Sequence, residues 1–145
     1  MPLKLSEDIR GIVRERANFL CEYCHTDERW QMVQFTIDHV IPQSQGGTGE
    51  LENLCLACFH CNRKKSNKQV VFDPASGEVT PIFNPRTMIW TEHFGWSSDR
   101  LKIVPKTNTG IITVNLLALN RDRILQIRLD DKLVDRHPPV EDITT

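Results

Sequence analysis

Residues 38–67 read DHVIPQSQGGTGELENLCLACFHCNRKKSN. An acid beside an imidazole, a polar glycine loop, an Asn-Leu step, two cysteines three apart and a basic cluster share this one stretch. It is either a metal-held surface loop or the working part of an enzyme. The cysteines answer part of that question. Cys21 and Cys24 form one C-x2-C pair, Cys58 and Cys61 form a second, and Cys55 is left over. Four thiolates presented as two such pairs meet the tetrahedral demand of zinc, each pair making a knuckle around the ion. Reduced core thiols would account for single cysteines but not for the paired spacing. Cys55 lies between Leu54 and Leu56 and reads as a buried thiol. His60, inside the second pair, is the one alternative zinc ligand. Glu22 and His25 either support the zinc geometry or face water.

Positive charge follows the second pair. Arg63, Lys64, Lys65 and Lys68 stand between Cys58 and Lys68 with no acid among them, although the whole chain carries a formal net charge of −1. A protein that coats nucleic acid is usually strongly basic, so the charge balance argues against a broad footprint and for a contact confined to one site. On a helix the four cannot all face one substrate. Arg63 with Lys64, or Lys65 with Lys68, would position backbone phosphates without reading sequence.

These residues need elements to hold them. Ser6 followed by Glu7 and Asp8 reads as a helix start, and Ile9, Ile12, Val13, Arg16 and Leu20 continue a helical stripe toward Phe19 or Leu20. In QMVQFTIDHVI, residues 31–41, apolar and polar residues alternate as in a strand. That places His39 on the face of Val33, Phe35 and Ile37, with Asp38 and Val40 on the other. Pro42 ends the strand, QSQGGTGE is a loop, LENLCLAC returns as a short strand, and a helix begins at Phe59 and runs out near Ser66 and Asn67. Beyond it, VVFDPASGEVTPIF reads as a hairpin turning at Pro74 to Gly77. Trp90, Phe94 and Trp96 read as packing residues, with His93 packed among them. IITV reads as a strand, and Asn115 as the cap of a helix with Leu116, Leu119, Ile124, Ile127 and Leu133 on its apolar face. Pro138 and Pro139 stop that helix, and the tail VEDITT is expected to contribute little.

The order C-x2-C, D-H-x-x-P, glycine loop, E-N-L and C-x2-C-N-x-x-K across residues 19–68 resembles the HNH nuclease family, in the subset where zinc knuckles staple a ββα-metal (His-Me finger) core. Residues 72–138 more loosely resemble the C-terminal extension of a bacterial subset of these proteins. The resemblance implies an α+β fold with a four-cysteine zinc site at Cys21, Cys24, Cys58 and Cys61. It makes His39 the general base that takes a proton from the attacking water. It puts Asp38 and Asn62 on a catalytic divalent ion and has Asn53 hold His39 in orientation. Some members carry histidine where this chain has Asn62. A neutral amide oxygen favours Mg²⁺ or Mn²⁺, with Ni²⁺ or Zn²⁺ as further candidates. The implied activity is hydrolysis of DNA phosphodiester bonds by nicking, giving 5′-phosphate and 3′-hydroxyl ends.

The remaining features bound the class. At 145 residues, 39% apolar and 26% charged, the chain fits one soluble domain, expected as a nuclease core over 6–68, an extension over 69–138 and a tail over 139–145. No apolar run is long enough to span a membrane, and the early charges of MPLKLSEDIRGIV do not read as a signal peptide, which points to the cytoplasm. The rival class is a zinc-knuckle module that binds nucleic acid or protein without cutting. The set of Asp38, His39, Asn53 and Asn62 weighs against it, because binding alone needs no base beside a metal ligand. Monomer and homodimer both remain open.

Overall fold

Ser6 opens the first helix by accepting a hydrogen bond from the Ile9 amide at 3.2 Å, and Glu7 and Asp8 face the positive end of the helix dipole. In the computed structural model, which describes residues 5–143, this helix, α1, spans Glu7–Arg16. It stops short of the expected Phe19 because Asn18 and Phe19 turn into the left-handed region. Its last turn is tied to the chain that follows. Arg14 pairs with Glu28 at 3.0 Å and donates to the Phe35 carbonyl at 2.9 Å, and Arg16 donates to the Leu51 and Leu54 carbonyls.

The expected long strand is four residues, β1, Thr36–His39. It pairs antiparallel with β2, Leu54–Ala57, in the register Asp38 opposite Cys55 and His39 opposite Leu54. The strand is shortened from its partner's side. Thr36 already faces Ala57, and the next residue, Cys58, caps the following helix, so residues 31–35 have no strand to pair with. Met32 is fully exposed and Val33 largely so, against the alternation the sequence suggested. Helix α2, Phe59–Lys65, follows directly and lies against β1. The β1–β2 connection doubles back tightly, and at Gly47 an added Cβ would lie 1.7 Å from the Ile41 carbonyl oxygen.

Val70–Phe72 and Val79–Pro81 form the hairpin β3–β4, and its turn is closed by Asp73, which accepts from the Ala75 amide at 2.9 Å. A one-turn helix α3, Trp90–His93, leads into the hairpin of β5, Phe94–Trp96, and β6, Ile103–Pro105. The sheets are thus three separate antiparallel pairs among the described residues, and the class is α+β.

The C-terminal expectation needs correcting. IITV lies inside helix α4, Asn108–Leu116, and the single helix expected after Asn115 is broken, with α5 beginning at Asp122 and ending at Leu133. Thr107 caps α4 through the Gly110 amide at 3.0 Å, and Thr113 bonds both the Thr109 carbonyl and the Phe83 amide. These contacts override the strand preference of a β-branched run. Between the helices Ala118 adopts φ 47°, and Asn120 brackets Ile103 by bonding its amide and its carbonyl.

One apolar cluster runs from Val13 through Tyr23, Leu54, Leu56, Phe83, Trp90, Phe94 and Ile103 to Leu119. The tail contributes to the fold, contrary to expectation, since Asp142 accepts from Trp96 Nε1 at 3.0 Å and pairs with His25 Nδ1 at 2.8 Å. Its last two residues, 144 and 145, lie outside the described residues, as does the opening stretch 1–4. No helix among the described residues is long and apolar enough to cross a membrane.

Candidate active site and metal centre

The two cysteine pairs reach one place from opposite ends of the stretch. The turn after α1 delivers Cys21 and Cys24, and the step from β2 into the first turn of α2 delivers Cys58 and Cys61. Their four sulfurs lie within 4.8 Å of one another, all buried, with Cys24 and Cys58 at 3.9 Å. Tetrahedral thiolate coordination at about 2.3 Å sets sulfurs roughly 3.8 Å apart, so this set fits a single metal ion. Hydrogen bonds from the Cys21, Cys58 and Cys61 thiols hold the Cys24 thiol well below its ordinary value, toward the thiolate a metal requires. Cys58 has a second task, since its sulfur accepts from the Cys61 amide at 3.4 Å and caps α2. His60 is not among the four, and its Nε2 lies 3.1 Å from the Leu117 carbonyl.

The residues flanking the first pair are not solvated. Glu22 accepts from the Leu56 amide at 2.7 Å and pairs with Arg86 of the extension. His25 stacks on Trp90 with ring centroids 3.9 Å apart. Tyr23 is fully buried, its carbonyl accepts from Trp90 Nε1 at 2.9 Å, and its hydroxyl donates to Asp38 Oδ2 at 3.2 Å. Burial pushes the phenol well up, which keeps it protonated and a donor.

Asp38 and His39 occupy adjacent positions on β1 with opposite outlooks. Asp38 is buried beside Cys55, whose thiol burial also pushes up. Burial raises the Asp38 carboxyl above the ordinary carboxylate range, and Lys65, then Tyr23, pull it back. Lys65 is the departure from the expected surface cluster. It is 2% exposed, and its ammonium sits 3.2 Å from Asp38 Oδ2 and 3.3 Å from the His39 carbonyl oxygen. It therefore does not face solvent as a phosphate contact would. Arg63, Lys64 and Lys68 are exposed, so the outward charge is carried by three residues of the four. His39 is half-buried, and its Nε2 is enclosed with no hydrogen-bond partner among the described residues.

Asn53 secures the loop that leaves His39. Its Oδ1 accepts from the Ile41 amide at 2.8 Å, its Nδ2 donates to the Ile41 and Thr48 carbonyls, and its own carbonyl accepts from the Val40 amide at 2.9 Å. It thus braces the backbone next to His39, and among the described residues it makes no hydrogen bond to the ring. Asn62 precedes Lys65 by one turn of α2, a spacing that sets the two on neighbouring positions of one helix face. An Asp38 carboxylate and an Asn62 amide are hard oxygen donors, which suits an ion that keeps much of its water. His93 packs edge-on against Phe83 and lies 2.7 Å from Thr107 Oγ1, as a packed histidine.

Sequence reasoning missed two of these residues. The C-x2-C spacing carries no signal for Tyr23, and in sequence Lys65 reads as one of four residues in a basic cluster. The helical spacing from Asn62 to Lys65 was the available signal, because it sets both on one face.

Residues 21–68 match the family model described as HNH endonuclease. No curated protein and no solved structure matches the chain. The matched span begins at the first cysteine and ends at the last lysine of the basic cluster, and so contains the four cysteines, Asp38, His39, Asn53, Asn62 and the basic cluster, while Arg86 and Trp90 lie beyond it.

Proposed function

Taking residues 21–68 as an HNH endonuclease domain, and the chain therefore as a nuclease acting on nucleic acid, we propose that it is a metal-dependent endonuclease that nicks DNA. The hairpin β1–β2 and helix α2 read as the ββα-metal core. The four cysteines hold a structural zinc that closes the fold and leaves no open position for chemistry. The observation that carries the proposal is the clamp of Lys65 on both Asp38 and His39, because it brings α2, and with it Asn62, to the β1 pair.

In this reading His39 takes a proton from water as that water attacks phosphorus. The bond from phosphorus to the 3′ oxygen breaks, leaving a 5′-phosphate and a 3′-hydroxyl. Asp38 and Asn62 hold a divalent ion, with Mg²⁺ or Mn²⁺ best matched to two oxygen donors and Ni²⁺ or Zn²⁺ as further candidates. That ion supplies stabilisation of negative charge on the phosphoryl and departing oxygens. Asn53 keeps the loop after His39 from drifting. Arg63, Lys64 and Lys68 contact backbone phosphates, which sets register without reading sequence.

The test follows supercoiled plasmid with wild-type protein and His39→Ala, in EDTA and with Mg²⁺, Mn²⁺, Ni²⁺ or Zn²⁺ added in turn. Nicked circles are expected first with wild type, and His39→Ala, folded and with its cysteine site loaded, is expected to lose at least ~10²-fold in rate. Nicks sealed by DNA ligase without prior end treatment would match the end chemistry. A folded wild-type protein, its cysteine site loaded, that fails to cut under every one of these ions would instead be a binding module.

A further inference from the structure

Every contact that the structure gives the Asp38 carboxylate falls on one of its two oxygens. Tyr23 Oη lies 3.2 Å from Oδ2, Lys65 Nζ lies 3.2 Å from Oδ2, and Cys55 Sγ lies 3.9 Å from Oδ2. Among the described residues no hydrogen bond reaches Oδ1. The two close partners come from different parts of the fold, Lys65 from α2 and Tyr23 from inside the first cysteine pair.

Tyr23 has no freedom to be elsewhere. Cys21 and Cys24 on either side are fixed in the sulfur cluster, Glu22 is bonded through its amide and its carboxylate to Leu56, and the Tyr23 carbonyl is taken by Trp90. Its ring meets Phe83 edge-on at 6.5 Å. A phenol held this firmly directs its hydroxyl to a fixed point, and that point is Oδ2.

We propose that Tyr23 is a positioning residue for the reaction: with Lys65 it locks Oδ2 of Asp38 and so presents Oδ1 as the oxygen that faces a divalent ion. This rests on the nuclease reading above and extends it, because it makes the first cysteine pair a support for the reaction centre as well as half of a structural site. Partners that hold a metal-binding carboxylate from behind set its orientation and basicity, and removing one typically weakens metal affinity by roughly 10–100-fold.

The test uses the full-length protein with its cysteine site loaded. Tyr23→Phe keeps the ring and removes the hydroxyl. It is expected to retain the metal of the cysteine site, to bind Mn²⁺ about tenfold more weakly by calorimetry or electron paramagnetic resonance, and to need correspondingly more Mn²⁺ for half-maximal nicking. Its rate at saturating Mn²⁺ should fall much less. Unchanged Mn²⁺ affinity would overturn the proposal, and so would a loss of the cysteine-site metal that accounts for the whole defect.

A second measurement does not depend on that variant folding. The chain has one tyrosine, so biosynthetic fluorotyrosine labels this ring alone. Its fluorine resonance should shift saturably as Mg²⁺ is added to otherwise wild-type protein and stay still in Asp38→Asn. A resonance that ignores Mg²⁺ while the ion still supports cleavage would overturn the proposal and leave the nuclease reading intact. A wild-type protein that neither binds Mn²⁺ nor cuts would instead take down the nuclease reading.

Discussion

If Asp38 holds the proposed divalent cation, that cation competes with a proton for its carboxylate, and burial favours the proton. Desolvation raises this carboxyl above its ordinary range, while the Lys65 ammonium and the Tyr23 hydroxyl oppose that rise. A cation at the same oxygens favours the ionised form, so its binding displaces a proton and weakens as pH falls. The acid limb of nicking should therefore move to lower pH as Mn²⁺ is raised, by about one pH unit per tenfold increase while competition dominates. Rate profiles at three Mn²⁺ concentrations check this. A limb that stays in place at all three would mean that the limiting proton sits elsewhere. The types and order of Asp38, His39, Asn53 and Asn62 were readable from the chain because they stand in a fixed motif. The environment of Asp38 was not, since nothing local marks Tyr23, fifteen residues away, as its partner.

Between elements, the contact of α2 with β1 depends on an ion pair in a buried place. The Asp38 and Lys65 side chains are 8% and 3% exposed. Removing one partner of such a pair leaves an uncompensated charge and costs about 3–5 kcal/mol, whereas replacing both is far milder. Lys65→Met should thus destabilise the protein by about 3 kcal/mol, and adding Asp38→Asn should restore most of it. Chemical denaturation of the two variants and the wild type measures this, and a double variant no better than the single would assign Lys65 a packing role. The 36–57 hairpin, α2 and the 70–81 hairpin were legible because Pro42, the glycine loop, Ser66-Asn67 and the Pro74 to Gly77 turn marked their ends. Residues 31–35 and IITV were misread for one shared reason: propensity describes a segment alone. The first lacks a partner strand once Cys58 becomes a helix cap, and the second is held helical by Thr107, Thr113 and the close approach of Gly110 to the His93 carbonyl.

Across the whole chain two fastenings hold the site, and they share the first cysteine pair. One is the sulfur cluster, which joins residues 21–24 to residues 58–61. The other is the extension, where Trp90 and Arg86 grip the knuckle at the Tyr23 carbonyl and the Glu22 carboxylate, and Phe83 and Phe94 complete its apolar cluster. The cysteine spacing disclosed the first fastening. The second showed in the sequence as a group of aromatics that read as packing residues, but without their individual partners, because packing partners far apart in sequence leave no periodic trace. Cys58→Ala removes a sulfur from the cluster and the cap from α2 together, and it should abolish stoichiometric metal and cooperative unfolding. Cysteine-site metal analysis and thermal melts would show this, and a folded, active Cys58→Ala protein after full metal depletion would refute the staple. The matched span ends at Lys68, yet the core continues through Phe83, Trp90, Phe94, Ile103, Leu117 and Leu119. A fragment of residues 1–68 should therefore fail to fold cooperatively even with excess zinc, because it leaves Tyr23 and its neighbours without their cover. Circular dichroism and amide exchange on the zinc-loaded fragment decide the matter. A protected, cooperatively melting fragment that still binds Mn²⁺ would make the core self-sufficient and reduce the extension to an accessory.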